Sequence, residues 1–476
     1  MRTLRRSLRY AVSNAMLKAV WKAVWKTVWN AVWNAVWTMT LAVSGCGTGC
    51  GASPPTTGFG DVNGPQVATV PPVEVGTPPG EGASEHVGVG VGADAGHDRS
   101  ASEGSGAPAA PGARAPLAPM PVISFGVPAY ASSGNAAAAN DRSYDTTWRS
   151  NETTSPSTPS WIAYDLSSVP AARRGAVDVV WDNGSGGYNE YEFYPKGGDA
   201  YNLPRDYTLE GNAAAGGSPP GSGWVALVTV SGNTYSSREH ALNLAGYNWL
   251  RLKVTKVNGS NLNFNTSVNL DVHDASHGVS DAWLFLGDSI TAFALRNDGA
   301  GIGARSFPEL INAAKPAYFP ASEGAGEGGW NSGTALHIPS PDGQGSLFDH
   351  WLSIFPGTFV CLSYGTNDGT DGSGDAGPTF ENLVTMVKKV IAAGKRPCIP
   401  HVPWAQDLAH QKNAKLVNAK IDLLYDQYPQ VVKGPDLWAA LMNQTSLYQD
   451  ELHPSPRGRE AYRQAWARAM LSEVYP

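Results

Sequence analysis

Hydrophobic and polar positions change rhythm midway along this chain. Residues 121–275 carry short alternating runs separated by turn signals, the pattern of an all-β sandwich. In Trp249-Leu250-Arg251-Leu252-Lys253-Val254-Thr255, positions 250, 252 and 254 are apolar and share one face of a strand, with Arg251 and Lys253 on the other. Val268, Leu270 and Val272 repeat the alternation. From residue 280 onward, unbroken apolar runs alternate with helix-like stretches, which predicts an α/β domain built on a parallel sheet. Trp283-Leu284-Phe285-Leu286 and Phe359-Val360-Cys361-Leu362-Ser363 read as strands buried on both faces, and residues 396–401 as a third. Residues 379–393, 408–428 and 456–471 read as helices. Gly394 closes the first of these, and Pro456 suits the opening turn of the last.

Neither pattern holds before residue 120. Residues 1–46 read as an export signal: Arg2, Arg5, Arg6 and Arg9 form a positive start, and an apolar segment leads to Leu41-Ala42-Val43-Ser44-Gly45-Cys46. Trp21, Trp25, Trp29, Trp33 and Trp37 recur every fourth residue and form one stripe on a helix. Lys22, Lys26, Asn30 and Asn34 interrupt the run, so it reads as a lengthened signal segment and not as a membrane span. Val43-Ser44-Gly45-Cys46 resembles the bacterial lipobox, which implies acylation of Cys46; ordinary cleavage after a small residue is the alternative, and Cys46 and Cys50 could instead pair in an oxidising compartment. Residues 47–119 are rich in Gly, Pro, Ala, Ser and Val with few aromatics. Such a segment buries too little apolar surface to offset its chain entropy, so it reads as a disordered linker.

Composition narrows the function classes. The chain has 476 residues and a formal charge of -7, with no basic block beyond its first residues. That argues against a nucleic-acid partner held through phosphates. Four cysteines lack close-spaced histidines, so no metal site is expected and no cofactor is implied. Cys361 and Cys398 lie in apolar runs and read as buried thiols, with a bridge between neighbouring strands left open.

The candidate chemistry begins at Gly287-Asp288-Ser289, where the first buried strand of the α/β domain hands over to a helix. Ligands bind at such strand ends in open α/β sheets. Ser289 is either a helix cap or a nucleophile. Gly365-Thr366-Asn367-Asp368 ends the second strand, and Asp450-Glu451-Leu452-His453 precedes the last helix. No Gly-x-Ser-x-Gly elbow occurs, which argues against an ordinary α/β-hydrolase. In this order the blocks resemble the GDSL or SGNH hydrolase family. Gly324-Ala325-Gly326-Glu327-Gly328-Gly329-Trp330 stands for the family's second block, with Gly324 where asparagine is usual.

The resemblance implies a flavodoxin-like three-layer domain over residues 276–476 in which Ser289, Asp450 and His453 are catalytic. It implies an oxyanion hole formed by Ser289, Gly329 and Asn367, with Gly328 the alternative to Gly329. A serine needs a neighbouring imidazole to take its proton, and the imidazole needs a carboxylate to orient it. His337, His350 and His401 read as surface or satisfied polar residues.

Between these regions, Asn140-Asp141, Thr146-Thr147-Trp148-Arg149-Ser150, Trp161-Ile162-Ala163-Tyr164-Asp165-Leu166, Tyr207-Thr208-Leu209-Glu210-Gly211, Trp224 and Trp249-Leu250-Arg251-Leu252 resemble a discoidin-type module. That module is a galactose-binding-like jelly roll, here residues 120–275, and it implies a sugar-binding or calcium-binding role. Tyr188, Tyr191, Tyr194 and Tyr201 with Trp181 offer a stacking face for a sugar ring, or else pack the sandwich.

Together these readings predict an exported serine esterase, either a cell-envelope lipoprotein or a secreted protein. An acylated polysaccharide is the expected partner and acetyl removal the expected reaction. A lipase or aryl esterase, and a surface adhesin with an inactive hydrolase domain, are the alternatives. The oligomeric state is not read from the sequence.

Overall fold

The computed structural model describes residues 117–184, 202–258, 265–295, 305–340, 345–369 and 377–475. The export signal, Cys46, Cys50, the linker up to residue 116, and Tyr188, Tyr191, Tyr194 and Tyr201 lie outside the described residues.

Among the described residues, nine strands form the first half. They are β1 (Ala129–Ala131), β2 (Trp148–Arg149), β3 (Ser160–Asp165), β4 (Ala176–Asp182), β5 (Pro204–Asn212), β6 (Val225–Val230), β7 (Ser237–Asn243), β8 (Trp249–Val257) and β9 (Ser267–Asp274). They build two antiparallel sheets, one ordered β1-β3-β8-β5-β6 and one ordered β2-β9-β4-β7. The alternation in β8 sets its register: Leu250 lies opposite Tyr164 and Leu252 opposite Ile162, and all four are buried in the space between the sheets. Val268, Leu270 and Val272 enter the same core from β9. The Tyr164 hydroxyl donates to the Leu270 carbonyl at 2.8 Å and ties one sheet to the other. Trp181 is fully buried and packs edge-to-face on Tyr207. It is a core residue and offers no stacking face to a sugar.

The polar sides of β4 and β9 are buried as well. Asp178, Asp182, Asn269, Asp271 and His273 are all buried, although alternation alone would turn these positions to water. For β4 the reason is tertiary, since β4 and β7 pack against a strand of the second half; on β9 the Tyr144 hydroxyl donates to Asp271 at 2.8 Å and His273 Nδ1 meets the Met120 carbonyl at 3.1 Å.

That second half is an α/β domain with five parallel strands among the described residues. They are β10 (Ala282–Gly287), β11 (Ala321–Gly326), β12 (Phe359–Ser363), β13 (Arg396–Ile399) and β14 (Val432–Lys433), in the order β11-β10-β12-β13-β14. Neighbouring strands pair in parallel throughout. Alternate residues of β10 supply two cores. Ala282, Leu284 and Leu286 face the cluster that holds Trp351, Val387 and Val417. Trp283 and Phe285 face the cluster that holds Phe307, Tyr462 and Trp466. The helices on the two faces include α1 (Ser289–Ala294), α2 (Phe307–Ala314), α3 (Ser332–His337), α4 (Leu347–Ile354), α5 (Gly377–Ala392), α6 (Leu408–Gln427), α7 (Leu437–Leu441) and α8 (Pro456–Glu473). The chain leaves β10 toward β11 on one side and returns to β12 on the other. The carboxyl end of β10 is therefore the topological switch point, where doubly wound sheets open a crevice. Ser289 sits there.

Cys361 and Cys398 lie opposite each other on β12 and β13, both buried and both free. Leu117, at the end of the expected linker, already touches the α/β domain: its carbonyl accepts the Tyr318 hydroxyl at 2.9 Å.

Candidate active site

Three loops meet at the switch point. The first follows β10. A Cβ on Gly287 would fall 2.2 Å from Thr291 Oγ1 and 2.9 Å from the Ser363 carbonyl oxygen, so only glycine permits the tight passage into α1. Asp288 caps α1, its Oδ1 accepting the Ile290 amide at 2.9 Å. Ser289 is then the first helical residue, 9% exposed, with its hydroxyl at the edge of the crevice and its amide in the unpaired first turn of a helix.

The second loop precedes α8. Asp450 Oδ1 accepts the amides of Leu452 at 2.8 Å and His453 at 2.6 Å, which locks the Asp-x-x-His turn. The outer oxygen, Oδ2, lies 3.0 Å from His453 Nδ1, and His453 Nε2 lies 2.9 Å from Ser289 Oγ. An imidazole donating from Nδ1 to Asp450 leaves Nε2 free to accept the serine hydroxyl. Burial alone would raise the Asp450 carboxyl, but the His453 and Leu452 amides and the His453 ring outweigh it and hold the group below its ordinary range. Asp450 thus stays ionised opposite the ring it orients. The Phe293 ring lies 5.1 Å from the His453 ring, centroid to centroid.

The third part joins the turn after β11 to the end of β12. The Glu327 amide donates to the Gly287 carbonyl at 2.9 Å, and the Trp330 amide returns to the Glu327 carbonyl at 3.4 Å. Gly329, the third residue of that turn, has φ +77°, a conformation natural to glycine in a type II turn. Asn367 Nδ2 donates to the Trp330 carbonyl at 2.8 Å. Asp368 braces the same junction. It accepts the Ser332 amide at 3.2 Å, the Ser332 hydroxyl, and the Thr379 hydroxyl at 3.1 Å.

The structure therefore brings Ser289, His453 and Asp450 into one hydrogen-bonded line and links Asn367 to the turn that contains Gly329. His401 pairs with Asp422 at 3.1 Å and with Asp436 at 3.5 Å, and His350 stacks on Tyr235. Both are satisfied outside the site, as expected. Sequence reasoning missed the bracing by Asp368 and the Trp330 carbonyl, and it gave Asp288 no task. The adjacency of Asp288 and Asp368 to motif residues was the available signal. No group of three or more potential metal ligands occurs among the described residues.

A serine hydroxyl hydrogen-bonded to an imidazole, itself held by an ionised carboxylate, is an arrangement suited to acyl transfer. Residues 285–461 match the GDSL-like lipase/acylhydrolase family. No curated protein matches the chain. Among solved structures, a Bacillus subtilis protein is similar at 14% identity, over 66% of this chain and 80% of that one, with a TM-score of 0.37. The acetylxylan esterase Axe2 of Geobacillus stearothermophilus is 19% identical over 41% of this chain and 95% of its own, with a TM-score of 0.31. A chitosan-binding module of a Paenibacillus sp. IK-5 chitosanase/glucanase is 19% identical over 32% of this chain and 97% of its own, with a TM-score of 0.23. These TM-scores are too low to carry weight, and the fold reading rests on the strand order itself. With the family match over residues 285–461, the α/β half is a GDSL-like lipase/acylhydrolase domain, and this protein is an ester-hydrolysing enzyme of the SGNH type.

Proposed function

We propose that the protein is an exported serine esterase that removes O-acyl groups, acetyl first, from polysaccharide. The observation that supports the mechanism is the line Ser289 Oγ to His453 Nε2 to Asp450 Oδ2, at 2.9 and 3.0 Å. In the first step Ser289 Oγ attacks the ester carbonyl while His453 Nε2 takes its proton. The tetrahedral oxyanion is met by the Ser289 and Gly329 amides and the Asn367 side-chain amide. Collapse expels the sugar hydroxyl, which leaves with the proton from His453, and the acyl group remains on Ser289. Water, deprotonated by His453, then attacks the acyl-enzyme and releases the acid. Asp450 holds the ring and supports the imidazolium formed in each half-reaction.

The substrate class rests on the company the hydrolase keeps, an antiparallel sandwich resembling a galactose-binding-like module. The decisive measurement is hydrolysis of nitrophenyl esters of increasing chain length by residues 120–476. A sharp preference for acetyl supports the carbohydrate reading. A preference for long chains replaces it with a lipase, and no turnover of any ester leaves an inactive surface adhesin.

The same reading places the enzyme on the cell envelope through acylated Cys46. Mature protein from a bacterial host is then expected to begin at a lipid-modified Cys46, and Cys46→Ala to move protein to the soluble fraction. One chain anchors only marginally, so several are expected. An unmodified N-terminus downstream of Cys46 leaves a plain secreted enzyme.

A further inference from the structure

The catalytic imidazole stands on an exposed loop. The Asp450 side chain is 50% exposed and that of His453 26%. Their hydrogen bond joins two residues of one turn, so it sets the ring relative to its own loop and not relative to Ser289. The bond from His453 Nε2 to Ser289 Oγ is the one the reaction disturbs, because its proton moves in each half-reaction. A lasting hold on the ring has to come from a group that does not react.

Phe293 is placed to supply it. It lies on α1 four residues after Ser289, and residues at that spacing share one helix face. Its half-buried ring lies 5.1 Å from the His453 ring, centroid to centroid, with the planes tilted by 48°. Aromatic rings attract one another in tilted arrangements at such separations. The buried Arg459, from the start of α8, packs on the same ring, its guanidinium carbon 5.3 Å from the Phe293 centroid. Arg459 Nη2 also donates to Gln449 Oε1 at 3.3 Å, and the Gln449 amide donates to the His453 carbonyl at 3.0 Å. The aromatic contact thus joins α1 to the catalytic loop, and Arg459 ties α8 to both. Since α1 also carries the nucleophile, one short helix holds Ser289 and the ring that steadies its base.

We propose that Phe293 is a positioning residue for the esterase reaction: its ring holds the His453 imidazole in line with Ser289 Oγ through a contact that proton transfer leaves intact. The inference rests on the Ser289–His453 reading. The test is steady-state kinetics of the full chain on nitrophenyl acetate for wild type, Phe293→Leu, Phe293→Tyr and Ser289→Ala. The ring-proton NMR resonances of His453, assigned by their loss in His453→Gln, are recorded alongside. Leucine keeps apolar volume at a half-buried site and removes the ring. In Phe293→Leu, kcat is expected to fall roughly tenfold, part of the ~100-fold that an ångström of misplacement can cost, with KM unchanged. Phe293→Tyr keeps the ring and is expected to retain most of the activity. The His453 resonances should lose their ring-current displacement in the leucine variant and keep it in the tyrosine variant. An unchanged kcat, a raised KM, or a tyrosine variant no better than leucine overturns the proposal. If Phe293→Leu does not fold, Phe293→Met, whose flexible side chain fills the same space, is judged by the same criteria. Ser289→Ala separates the two readings. If that variant stays active, the nucleophile reading fails and the His453 resonances decide alone: displacement lost in Phe293→Leu upholds the contact, and unmoved resonances overturn it.

Discussion

The Gly324 amide donates to Ser237 Oγ at 2.8 Å, joining the outermost strand of the hydrolase sheet to an edge of the sandwich. The Ser237 hydroxyl in turn approaches the Gly324 carbonyl at 3.4 Å, and two residues further along β7 the Glu239 amide donates to Glu323 Oε2 at 3.2 Å. An uncovered edge strand is a template for aggregation, and β11 leads directly into the turn that carries Gly329.

The sandwich is accordingly expected to complete the hydrolase and not merely to deliver it. Isolated residues 276–476 should be insoluble, or inactive even on a small soluble ester, whereas residues 120–476 should be soluble and active. A pure targeting module would leave the small-ester rate unchanged and lower only the rate on insoluble acylated polysaccharide. Measuring both substrates with one truncated protein separates these outcomes. Ser237→Ala should lower unfolding stability by about 1 kcal/mol, the usual worth of such a bond, in urea titration.

Ser289→Ala should keep the fold and reduce turnover to the residual level left by binding and oxyanion contacts. Circular dichroism and steady-state kinetics on the same sample check both halves. Retention of more than about a tenth of the activity, a factor worth only about 1.4 kcal/mol, would exclude Ser289 as nucleophile.

Asn367 is held by its bond to the Trp330 carbonyl at 2.8 Å, so its amide is preorganised and costs little to orient during reaction. Asn367→Ala is expected to lower kcat roughly 100- to 1000-fold, as loss of one oxyanion donor does, with KM little changed. A rise in KM at constant kcat would instead assign Asn367 to substrate binding.

Stability should rise as pH falls from mildly alkaline to mildly acidic. At the contact between sandwich and hydrolase, burial pushes the Asp178 and Glu323 carboxyls up to about 7. Burial first, and the nearby Asp178 and Glu323 charges next, push Glu239 well above its ordinary range. Arg238 and Lys395 moderate Glu323. Raised carboxyls bind protons in the folded chain that the unfolded chain has released, so their contribution is full below the ordinary carboxyl range and is lost as pH rises through 7. His240 and His273, lowered mainly by burial to about 3 and about 4, act in the opposite sense, but only below the ordinary histidine value near ~6.5. Thermal unfolding should therefore give a higher midpoint at about pH 6.5 than at about pH 8, and Asp178→Asn should flatten the difference. Equal wild-type midpoints would count against the buried carboxyl face.

Much of this molecule could be read before any fold was known, because the signals were local. The unbroken run at 283–286 announced a strand buried on both faces, and β10 does feed two separate cores through alternate residues. The Leu250, Leu252 and Val254 face appeared in the sandwich core as alternation required. Helix limits also fell close to expectation, since Gly394 and Pro456 are chain-level punctuation. Ser289, Asn367, Asp450 and His453 could be named because each sits in a short motif at a strand end or helix start.

What the sequence by itself determined, then, was period, punctuation and the residue types the chemistry needs. Only tertiary structure decided which groups meet. Ser289 and His453 are 164 residues apart in the chain, and no local signal sets a contact across that separation. Alternation reports a strand's two sides but not what covers them, so the polar sides of β4 and β7 carry no sign in the sequence of what lies on them. Here β11 packs against both strands, so Asp178 and Glu239 are buried. The same limit hid Asp288: its motif was legible, but its enclosure by Thr366, Tyr364 and Tyr462 exists only where three distant segments converge.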